Sequence, residues 1–582
     1  MPASVLHALL SLATAASAPV VERALPVRMR DGVVLRADVW RPAASGRFPV
    51  LVYRTPYDRR GAQGERSTVA RAAARGYAVV VQDVRGRYGS DGEFEPYRNE
   101  GRDGYDTIEW AAAQPWSDGS VGTFGLSYPG AVQWLAAVES PPHLRAMVPA
   151  MTFSTPRNFF YSGGVFDMSW TAWIWNNIAP DVRARRGLGG PRTSEDARAE
   201  WDRIRDGIQR RLPLSALDEF RDVAPYLFDW MRHPAGEGWW DWAELRGRYA
   251  RVGAAVLNLS GWHDEAYGPE GAVTNFLGLL AARPGQADPR VRLLIGPWVH
   301  GSVTMQDPEA QTRAGDRAFG PAAAIDYQET ILRFMDRYVR GLDNGVEREP
   351  PVRAFVMGEN AWSESDGWPL PGTARRPLFL DRVAVPPAAG RLAWEQGAGG
   401  ASSFVADPLR PVEDPYAAEP GAHDYRRLAA RTDLVAFDSA PLESDLRVVG
   451  PIAAEVHVST EDAKDVDVWV KLFDVAPDGT AYNLMSPGLD VLRASYRGGG
   501  ARELLEPGRV YALRLDNLMT GNLFRKGHRL RLVVCGSFFP HFSRNLQTGE
   551  LETVSARTQP ARILVHHSAR YPSRLILPVV VR

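Results

Sequence analysis

Short apolar runs, separated by glycine, proline and acidic residues, recur over the first 150 residues and again after residue 250. The runs at 48–53, 254–260 and 291–297 have the length and composition of buried strands. A fourth run, at 121–124, passes directly into an apolar helical pattern at 131–136. Buried strands that alternate with helices are typical of an α/β protein with a mostly parallel sheet.

The strand series is interrupted over residues 151–250, where eight of the 18 tryptophans fall. A helix-start signal at 193–196 is followed by Trp201, Ile204, Ile208 and Leu212 at helical spacing. This pattern predicts a helical cap inserted over the carboxyl ends of the strands.

A different pattern begins beyond Pro350-Pro351. Short runs of alternating apolar and polar residues, bounded by Gly, Pro and Asp, occur at 352–356, 454–458, 466–472 and 530–534. Alternation with a period of two is typical of strands in antiparallel sheets. The carboxy-terminal part is therefore predicted to be a β-sandwich.

One serine lies at the junction between a predicted strand and a predicted helix. The stretch Gly125-Leu126-Ser127-Tyr128-Pro129-Gly130 has the form of a nucleophile elbow, in which a sharp turn exposes the seryl oxygen above the sheet. The consensus G-x-S-x-G is broken at Pro129, and a glycine follows one residue later. Taken alone, the stretch also fits an ordinary strand-to-helix turn.

An acid and a histidine follow the serine, each directly after a predicted buried strand. The carboxyl ends of parallel strands meet at one edge of a sheet, so Ser127, Asp264 and His300 are expected to lie together. Imidazole titrates near neutral pH and can take the seryl proton, while a carboxylate fixes its tautomer. Glu265 is a competing acid, and His263 is a competing base.

Two groups are candidates for stabilising an oxyanion formed at the serine. The backbone N–H of Tyr128, the residue after the nucleophile, supplies the first donor. The strand at 48–53 opens into Thr55-Pro56-Tyr57, where Tyr57 offers a phenolic O–H. A half-buried packing role for the Tyr57 ring is the alternative.

Further motifs accompany these residues in a fixed order. They are Met29-Arg30-Asp31-Gly32, Leu35-Arg36-Ala37-Asp38-Val39-Trp40-Arg41-Pro42, Asp83-Val84-Arg85-Gly86-Arg87-Tyr88-Gly89-Ser90-Asp91-Gly92, Gly261-Trp262-His263-Asp264, Gly296-Pro297-Trp298-Val299-His300 and Ser537-Phe538-Phe539-Pro540-His541-Phe542-Ser543-Arg544-Asn545. From about residue 25 to the end, the chain resembles the family of cocaine esterases and X-prolyl dipeptidyl peptidases. That family also includes glutaryl-cephalosporin acylases and α-amino acid ester hydrolases.

The resemblance implies an α/β-hydrolase domain with an inserted helical cap and a carboxy-terminal jelly roll. It also implies that Ser127, Asp264 and His300 form a catalytic triad and that the Tyr57 hydroxyl completes the oxyanion hole. The family's elbow reads G-x-S-Y-x-G, with which Pro129 agrees. The expected segments are an N-terminal segment (1–24), the first part of the hydrolase domain (25–150), the cap (151–250), the second part of the hydrolase domain (251–348) and the jelly roll (349–582).

The expected function is hydrolysis of a small carboxylic ester or amide through an acyl-enzyme. An X-Pro dipeptidyl peptidase, an α-amino acid ester hydrolase or an acylase is the alternative within the family, and a non-catalytic ligand-binding protein is the alternative from another class. Residues expected to contact the substrate are Phe159, Trp170, Trp173 and Glu265, because ligand sites are largely apolar with few polar groups.

Composition narrows the possible partners. The 68 basic and 69 acidic residues give a net charge of −1 and no electrostatic reason to expect nucleic acid or an anionic membrane. The single cysteine, Cys535, excludes an internal disulfide and a Cys-rich metal site. No metal and no cofactor are expected, and the oligomeric state stays open.

The amino terminus has some features of a secretory signal peptide. Residues 5–13 are apolar, and Ala16-Ser17-Ala18 resembles a cleavage site. However, no Lys or Arg precedes Arg23, and Pro19 would follow the cut. The sequence therefore favours a cytoplasmic protein, and a secreted one is the alternative.

Overall fold

The computed structural model of the protein describes residues 18–64, 67–283, 288–485 and 490–581. The apolar stretch considered as a signal peptide lies outside the described residues. Within these ranges, every helix is too short or too polar to span a lipid bilayer.

The chain begins with strands and helices of a central sheet. The strands are β1 (Val20–Arg28), β2 (Val34–Arg41), β3 (Phe48–Thr55), β4 (Ala78–Asp83), β5 (Ser117–Leu126) and β6 (Leu144–Ala150), and the helices are α1 (Thr68–Ala74), α2 (Glu100–Ala112) and α3 (Tyr128–Ala137). β1 and β2 pair antiparallel, whereas β3 is parallel to β4 and β5, and β5 is parallel to β6. The sheet therefore starts at Val20, within the segment 1–24 that was set apart from the hydrolase domain, because β1 pairs with β2 from its first residue.

A largely helical insertion separates β6 from the next strand of the sheet. It contains a hairpin of β7 (Tyr161–Ser162) and β8 (Val165–Phe166), and the helices α4 (Ser169–Trp173), α5 (Ala179–Arg186), α6 (Ser194–Arg210) and α7 (Tyr226–Arg232). The Thr193 side chain accepts the Asp196 N–H and caps α6, as the helix-start signal predicts. The hairpin was not predicted. All these elements lie within the predicted cap.

The sheet resumes after the insertion. Its later elements are β9 (Ala255–His263), α8 (Glu270–Ala282), β10 (Val291–Val299), α9 (Ser302–Gln306), the small pair β11 (Arg313–Ala314) and β12 (Arg317–Ala318), α10 (Tyr327–Tyr338), β13 (Val352–Val356) and β14 (Ala361–Ser365). The ten strands are ordered β1-β2-β4-β3-β5-β6-β9-β10-β13-β14. Apolar side chains of α1 and α10 pack on one face of the sheet, and those of α2, α3 and α8 pack on the other.

Two strands beyond the boundary expected at residue 349, β13 and β14, belong to the first sheet. Val352–Val356 was expected in the sandwich, but it pairs in parallel with β10 and extends the first sheet. Leu293 N–H donates to the carbonyl of Pro351, so the two prolines lead into this strand instead of ending the domain. Alternation of apolar and polar residues identifies a strand but does not specify the sheet that it joins.

The remaining strands form a second, mostly antiparallel sheet system, the jelly-roll domain. They are β15 (Thr373–Arg382), β16 (Gly390–Ala393), β17 (Ala401–Ala406), β18 (Leu434–Ser439), β19 (Leu446–Thr460), β20 (Asp467–Val475), β21 (Ala481–Asn483), β22 (Val491–Arg493), β23 (Tyr511–Phe524), β24 (Arg529–Cys535), β25 (Ala561–His566) and β26 (Arg574–Val580). The strands predicted at 454–458, 466–472 and 530–534 fall in β19, β20 and β24. Cys535 ends β24 and is buried.

The motif at 537–545 joins the jelly roll to the cap. Met168 N–H donates to the His541 carbonyl at 2.8 Å, and Ser543 N–H donates to the Phe166 carbonyl at 2.9 Å. These backbone bonds hold the cap hairpin, and with it the start of α4, against the carboxy-terminal domain.

Candidate active site

Ser127, Asp264 and His300 form a continuous hydrogen-bonded chain. His300 Nε2 lies 2.9 Å from Ser127 Oγ, and His300 Nδ1 lies 2.8 Å from Asp264 Oδ1. Asp264 is buried, and its Oδ1 also accepts the backbone N–H groups of Ala266 and Tyr267. A carboxylate at Nδ1 holds a proton there and leaves Nε2 to accept the seryl proton. The arrangement can therefore activate a serine nucleophile.

The serine is presented by a strained turn between β5 and α3. Ser127 has φ 67° and ψ −127°, a conformation that residues with a side chain rarely adopt. A Cβ on Gly130 would lie 2.5 Å from the Ala150 carbonyl oxygen, and a Cβ on Gly125 would lie 2.5 Å from Pro129 Cβ. The close approach thus requires glycine at 130, and Pro129 fits the first turn of α3, where its missing N–H costs no helical bond.

Glu265 contacts His300 differently from Asp264. Its Oε2 accepts the backbone N–H of His300 at 3.1 Å, while the imidazole is paired with Asp264. Burial raises the pKa of the Glu265 carboxyl to about 7. Glu265, the alternative triad acid, therefore holds the backbone of His300, whereas Asp264 holds its ring.

Electrostatic surroundings shift the pKa values of His300 and His263 in opposite directions. Burial opposes protonation of His300, but the Asp264 carboxylate outweighs it and raises the pKa above 6.5. Burial lowers the pKa of His263 to about 3. The His263 ring packs on Phe319, with centroids 6.3 Å apart. His300, and not the competing base His263, makes the contact with Ser127 Oγ.

Tyr57 lies two residues beyond β3, and its hydroxyl is held by the cap. Trp173 Nε1 donates to Tyr57 Oη at 2.9 Å. An indole N–H can only donate, so Tyr57 Oη accepts this bond and keeps its own proton for another acceptor. Burial raises the pKa of Tyr57 to about 12, although the bond from Trp173 and an interaction with the Ser127 hydroxyl oppose this. The phenol is a neutral donor beside the serine.

Arg87 connects the loop that carries Tyr57 to the cap. Arg87 belongs to the sequence motif at 83–92, from which this role was not predicted. The Arg87 guanidinium is buried and donates to the carbonyls of Pro56, Ile178 and Asn177 at 2.9–3.0 Å. One side chain thereby links the residue before Tyr57 to the helical segment that follows Trp173.

Besides the Tyr57 hydroxyl, the candidate donor to an oxyanion at Ser127 is the backbone N–H of Tyr128, the first residue of α3. The first N–H groups of a helix have no acceptor within the helix, and the helix dipole favours negative charge there. Tyr128 follows Ser127 directly in the chain, and the Tyr57 hydroxyl interacts with the Ser127 hydroxyl. The two donors have the composition of an oxyanion hole.

Of the aromatic residues expected to contact the substrate, only Trp173 is partly exposed. Phe159 is buried and stacks on Tyr267, with centroids 4.5 Å apart. Trp170 is also buried and packs edge-on against Trp173 at 5.2 Å. Phe159 and Trp170 are therefore packed among other aromatic rings.

Tyr267 is a site residue that the sequence analysis missed. Burial raises the pKa of its hydroxyl, which lies 3.2 Å from the Tyr97 hydroxyl, while an interaction with the Ser127 hydroxyl lowers it. Its ring lies 5.4 Å from that of His300. The sequence signal for Tyr267 is its position three residues after Asp264, because the loop after the acid must pass the active site.

The fold and the hydrogen-bonded serine define an α/β-hydrolase-type serine hydrolase. The chain matches the family model described as X-Pro dipeptidyl-peptidase (S15 family) over residues 31–302. It matches the X-Pro dipeptidyl-peptidase C-terminal non-catalytic domain over residues 344–576. It is 33% identical over 589 residues to cocaine esterase of Rhodococcus sp. (strain MB1 Bresler), an alignment that covers 96% of this chain and 98% of that one. The protein therefore belongs to this family of serine hydrolases, whose members include ester-cleaving enzymes.

Solved structures have the same two-domain fold. An aminopeptidase from the marine sediment archaeon Thaumarchaeota archaeon superposes with a TM-score of 0.78 at 23% identity, covering 97% of this chain and 96% of that one. A selenomethionine-labelled α-amino acid ester hydrolase superposes with a TM-score of 0.73 at 24% identity, covering 96% of each chain. The predicted fold class is confirmed.

Proposed function

We propose that the protein is a carboxylesterase that cleaves small esters through an acyl-enzyme on Ser127. The observation that carries the proposal is the chain of contacts from Ser127 Oγ to His300 Nε2, at 2.9 Å, and from His300 Nδ1 to Asp264, at 2.8 Å. An imidazole placed between a seryl oxygen and a buried carboxylate in this order is the arrangement that activates a serine nucleophile.

In the proposed reaction, Ser127 Oγ attacks the ester carbonyl carbon as His300 Nε2 takes the seryl proton. Asp264 stabilises the imidazolium that forms. Tyr57 O–H and Tyr128 N–H donate to the carbonyl oxygen as it becomes an oxyanion. The tetrahedral intermediate collapses when His300 returns the proton to the leaving alkoxide, and the alcohol departs. His300 then deprotonates a water molecule that attacks the acyl carbonyl carbon, and the imidazolium returns this proton to Ser127 Oγ as the acyl–oxygen bond breaks and the acid is released.

Two features support esters over substrates with a free α-amino group. Such a group is bound by an ionised carboxylate, and position 130, just after the elbow, is a glycine where the Ala150 carbonyl leaves no space for a side chain. The carboxyl of Glu265, beside His300, has a pKa of about 7 because of burial and already accepts the His300 N–H. A carboxyl that is partly protonated near neutral pH binds a cation weakly.

An X-Pro dipeptidyl peptidase or α-amino acid ester hydrolase is the second candidate. Glu265 favours it, because this carboxyl is partly exposed beside His300 and becomes ionised above its pKa. Under this candidate, Glu265 binds the substrate ammonium group. Trp173, which is partly exposed and bonded to Tyr57, is proposed to contact the acyl group in either case.

A substrate panel separates these functions. The purified chain is assayed with p-nitrophenyl esters of increasing acyl length, with an X-Pro-p-nitroanilide and with an α-amino acid methyl ester. We expect kcat/KM to be highest for a p-nitrophenyl ester and unaffected by Glu265→Gln at pH 8. Preferred cleavage of the amine-bearing substrates, lost in Glu265→Gln, would replace the first candidate with the second. Absence of turnover in the whole panel would favour a binding protein.

A further inference from the structure

The side chain of Tyr128 is bonded to a buried ion pair behind the elbow. Tyr128 Oη donates to Glu100 Oε1 at 2.8 Å and accepts the Tyr97 backbone N–H at 3.0 Å. Glu100 Oε2 lies 2.9 Å from Arg54 Nη1, a contact between charges that is not aligned as a hydrogen bond. Arg54 Nη1 also donates to the Glu100 carbonyl at 3.1 Å.

Such a pair is a poor source of stability. Both side chains are at least 96% buried, with 4% of Arg54 and 3% of Glu100 exposed. Removing two charges from water costs about as much as their attraction returns, and apolar replacements of buried ion pairs are often as stable. A well-attested use of a buried polar group is to fix one geometry among several. The elements that this pair joins therefore indicate its role.

The pair and the Tyr128 hydroxyl together connect the two elements that supply the oxyanion donors, β3 and α3. Arg54 lies in β3, three residues before Tyr57, and its Nε donates to Gln82 Oε1 at 2.8 Å. Glu100 is the first residue of α2, which packs closely on α3, since a Cβ on Gly104 would lie 2.6 Å from Ala136 Cβ. A chain of polar contacts therefore runs from β3 through α2 to Tyr128, the first residue of α3.

The Tyr128 ring continues the connection to Tyr57. It stacks on Trp173, with centroids 6.2 Å apart and planes at 9°. Trp173 in turn donates its indole N–H to Tyr57 Oη. A displacement of Tyr128 would therefore move both its own backbone N–H and the support for the Tyr57 hydroxyl.

We propose that the buried Arg54–Glu100 pair, acting through the Tyr128 hydroxyl, positions both donors of the oxyanion hole. Arg54, Glu100 and the Tyr128 side chain are positioning residues, and none of these side chains touches the substrate. This inference rests on the proposed function, because it presupposes an oxyanion bound by Tyr57 and Tyr128. A misplacement of about 1 Å in such a site costs up to about 10²-fold in rate.

The direct test is Tyr128→Phe, which keeps the backbone N–H and the stacked ring and removes the hydroxyl that bonds to Glu100 and accepts the Tyr97 N–H. We expect kcat for a p-nitrophenyl ester to fall by about 10-fold or more, with little change in KM, because the donors act mainly on the transition state. The matched control is Tyr161→Phe, which removes a buried hydroxyl bonded to the Trp230 carbonyl in the cap. This control should keep kcat.

Glu100 provides a second test that does not depend on Tyr128. Glu100→Gln retains an acceptor for the Tyr128 hydroxyl, whereas Glu100→Ala removes it, so kcat should be higher in Glu100→Gln. Glu270 is the matched control, since it is also buried and also begins its helix, but it binds Ser154 and Thr274. Glu270→Ala and Glu270→Gln should both keep kcat, whatever their melting temperatures.

The outcomes separate the inference from the proposed function. A wild-type kcat in both Tyr128→Phe and Glu100→Ala, with an inactive Ser127→Ala enzyme, would overturn the inference and leave the proposed function intact. Equal kcat values in Glu100→Gln and Glu100→Ala would also overturn it. Turnover retained in Ser127→Ala would overturn the proposed function, and the inference with it. A loss of kcat in Tyr128→Phe, with no change in melting temperature or KM, supports the positioning role.

Discussion

Trp173 donates its indole N–H to the Tyr57 hydroxyl oxygen at 2.9 Å. The bond crosses from the cap to the loop after β3. It fixes which partner gives the proton, because indole has no acceptor atom in its ring plane. Tyr57 must therefore direct its own hydrogen elsewhere, and the Ser127 hydroxyl is the neighbour with which it interacts.

Tyr57→Phe should separate catalysis from packing. The ring keeps nearly all its apolar area, so the melting temperature should change little. Loss of an oxyanion donor should lower kcat by about 10²–10³-fold with a smaller change in KM. Steady-state kinetics and a thermal melt of the same preparation measure both, and an unimpaired enzyme would show that Tyr57 only packs.

Trp173→Phe should produce part of the same defect. It leaves the Tyr57 hydroxyl in place but removes the bond that orients it, so kcat should fall less than in Tyr57→Phe. In the double variant the two losses should not multiply, because both act on one hydroxyl. Trp239→Phe, elsewhere in the cap, is the control. Fully multiplicative losses would indicate that Trp173 acts independently of Tyr57.

The pH dependence of kcat/KM should report His300. The base must be neutral to accept the seryl proton, so activity should rise with pH through the His300 pKa, which Asp264 raises above 6.5 against the effect of burial. The charge of Glu265 also raises this pKa. Glu265→Gln should therefore move the acid limb to lower pH.

The control for this shift is Glu270→Gln, which removes another buried carboxyl. A limb that stays fixed in Glu265→Gln, or moves to higher pH, would contradict the electrostatic relation between Glu265 and His300. Because Glu265 itself has a pKa of about 7, the wild-type limb should also be broader than that of the variant.

Gly130→Ala should damage the elbow. The added Cβ would lie 2.5 Å from the Ala150 carbonyl oxygen, which accepts the Ser127 N–H. We expect the free energy of unfolding to fall by about 1–3 kcal/mol and kcat to fall as the serine shifts. Gly207→Ala is the matched control, since Gly207 lies in α6 with nothing within 4 Å of the added carbon. That change should stabilise the helix by about 0.5–1 kcal/mol, and equal effects of the two changes would exclude a packing cause.

The sequence predicts those parts of the site that depend on local pattern. Ser127, Asp264 and His300 each follow a buried strand, and strand ends of a parallel sheet converge whatever the rest of the chain does. The helix after Thr193 was predictable for a similar reason, since its cap and its apolar stripe are both local.

Other parts depend on contacts between distant segments. Tyr267 reaches the serine only because the loop after Asp264 folds back, and Arg54 meets Glu100 across 46 positions of sequence. Val352–Val356 has an alternating pattern that fits either sheet, and its place beside β10 depends on tertiary packing. Phe159 and Trp170 are buried among other aromatic rings, and composition alone does not distinguish such packing from a pocket wall.

The most direct test of the account is the reaction of the protein with a fluorophosphonate probe, followed by peptide mass spectrometry. Only a serine deprotonated by a neighbouring base reacts readily with such a probe. We expect one labelled site, Ser127, in the wild-type protein, no labelling in Ser127→Ala, and strongly slowed labelling in His300→Ala. Ser120→Ala, a serine away from the elbow, should label like the wild type. Labelling at another serine, or undiminished labelling of Ser127→Ala, would contradict the central claim that Ser127 is the nucleophile.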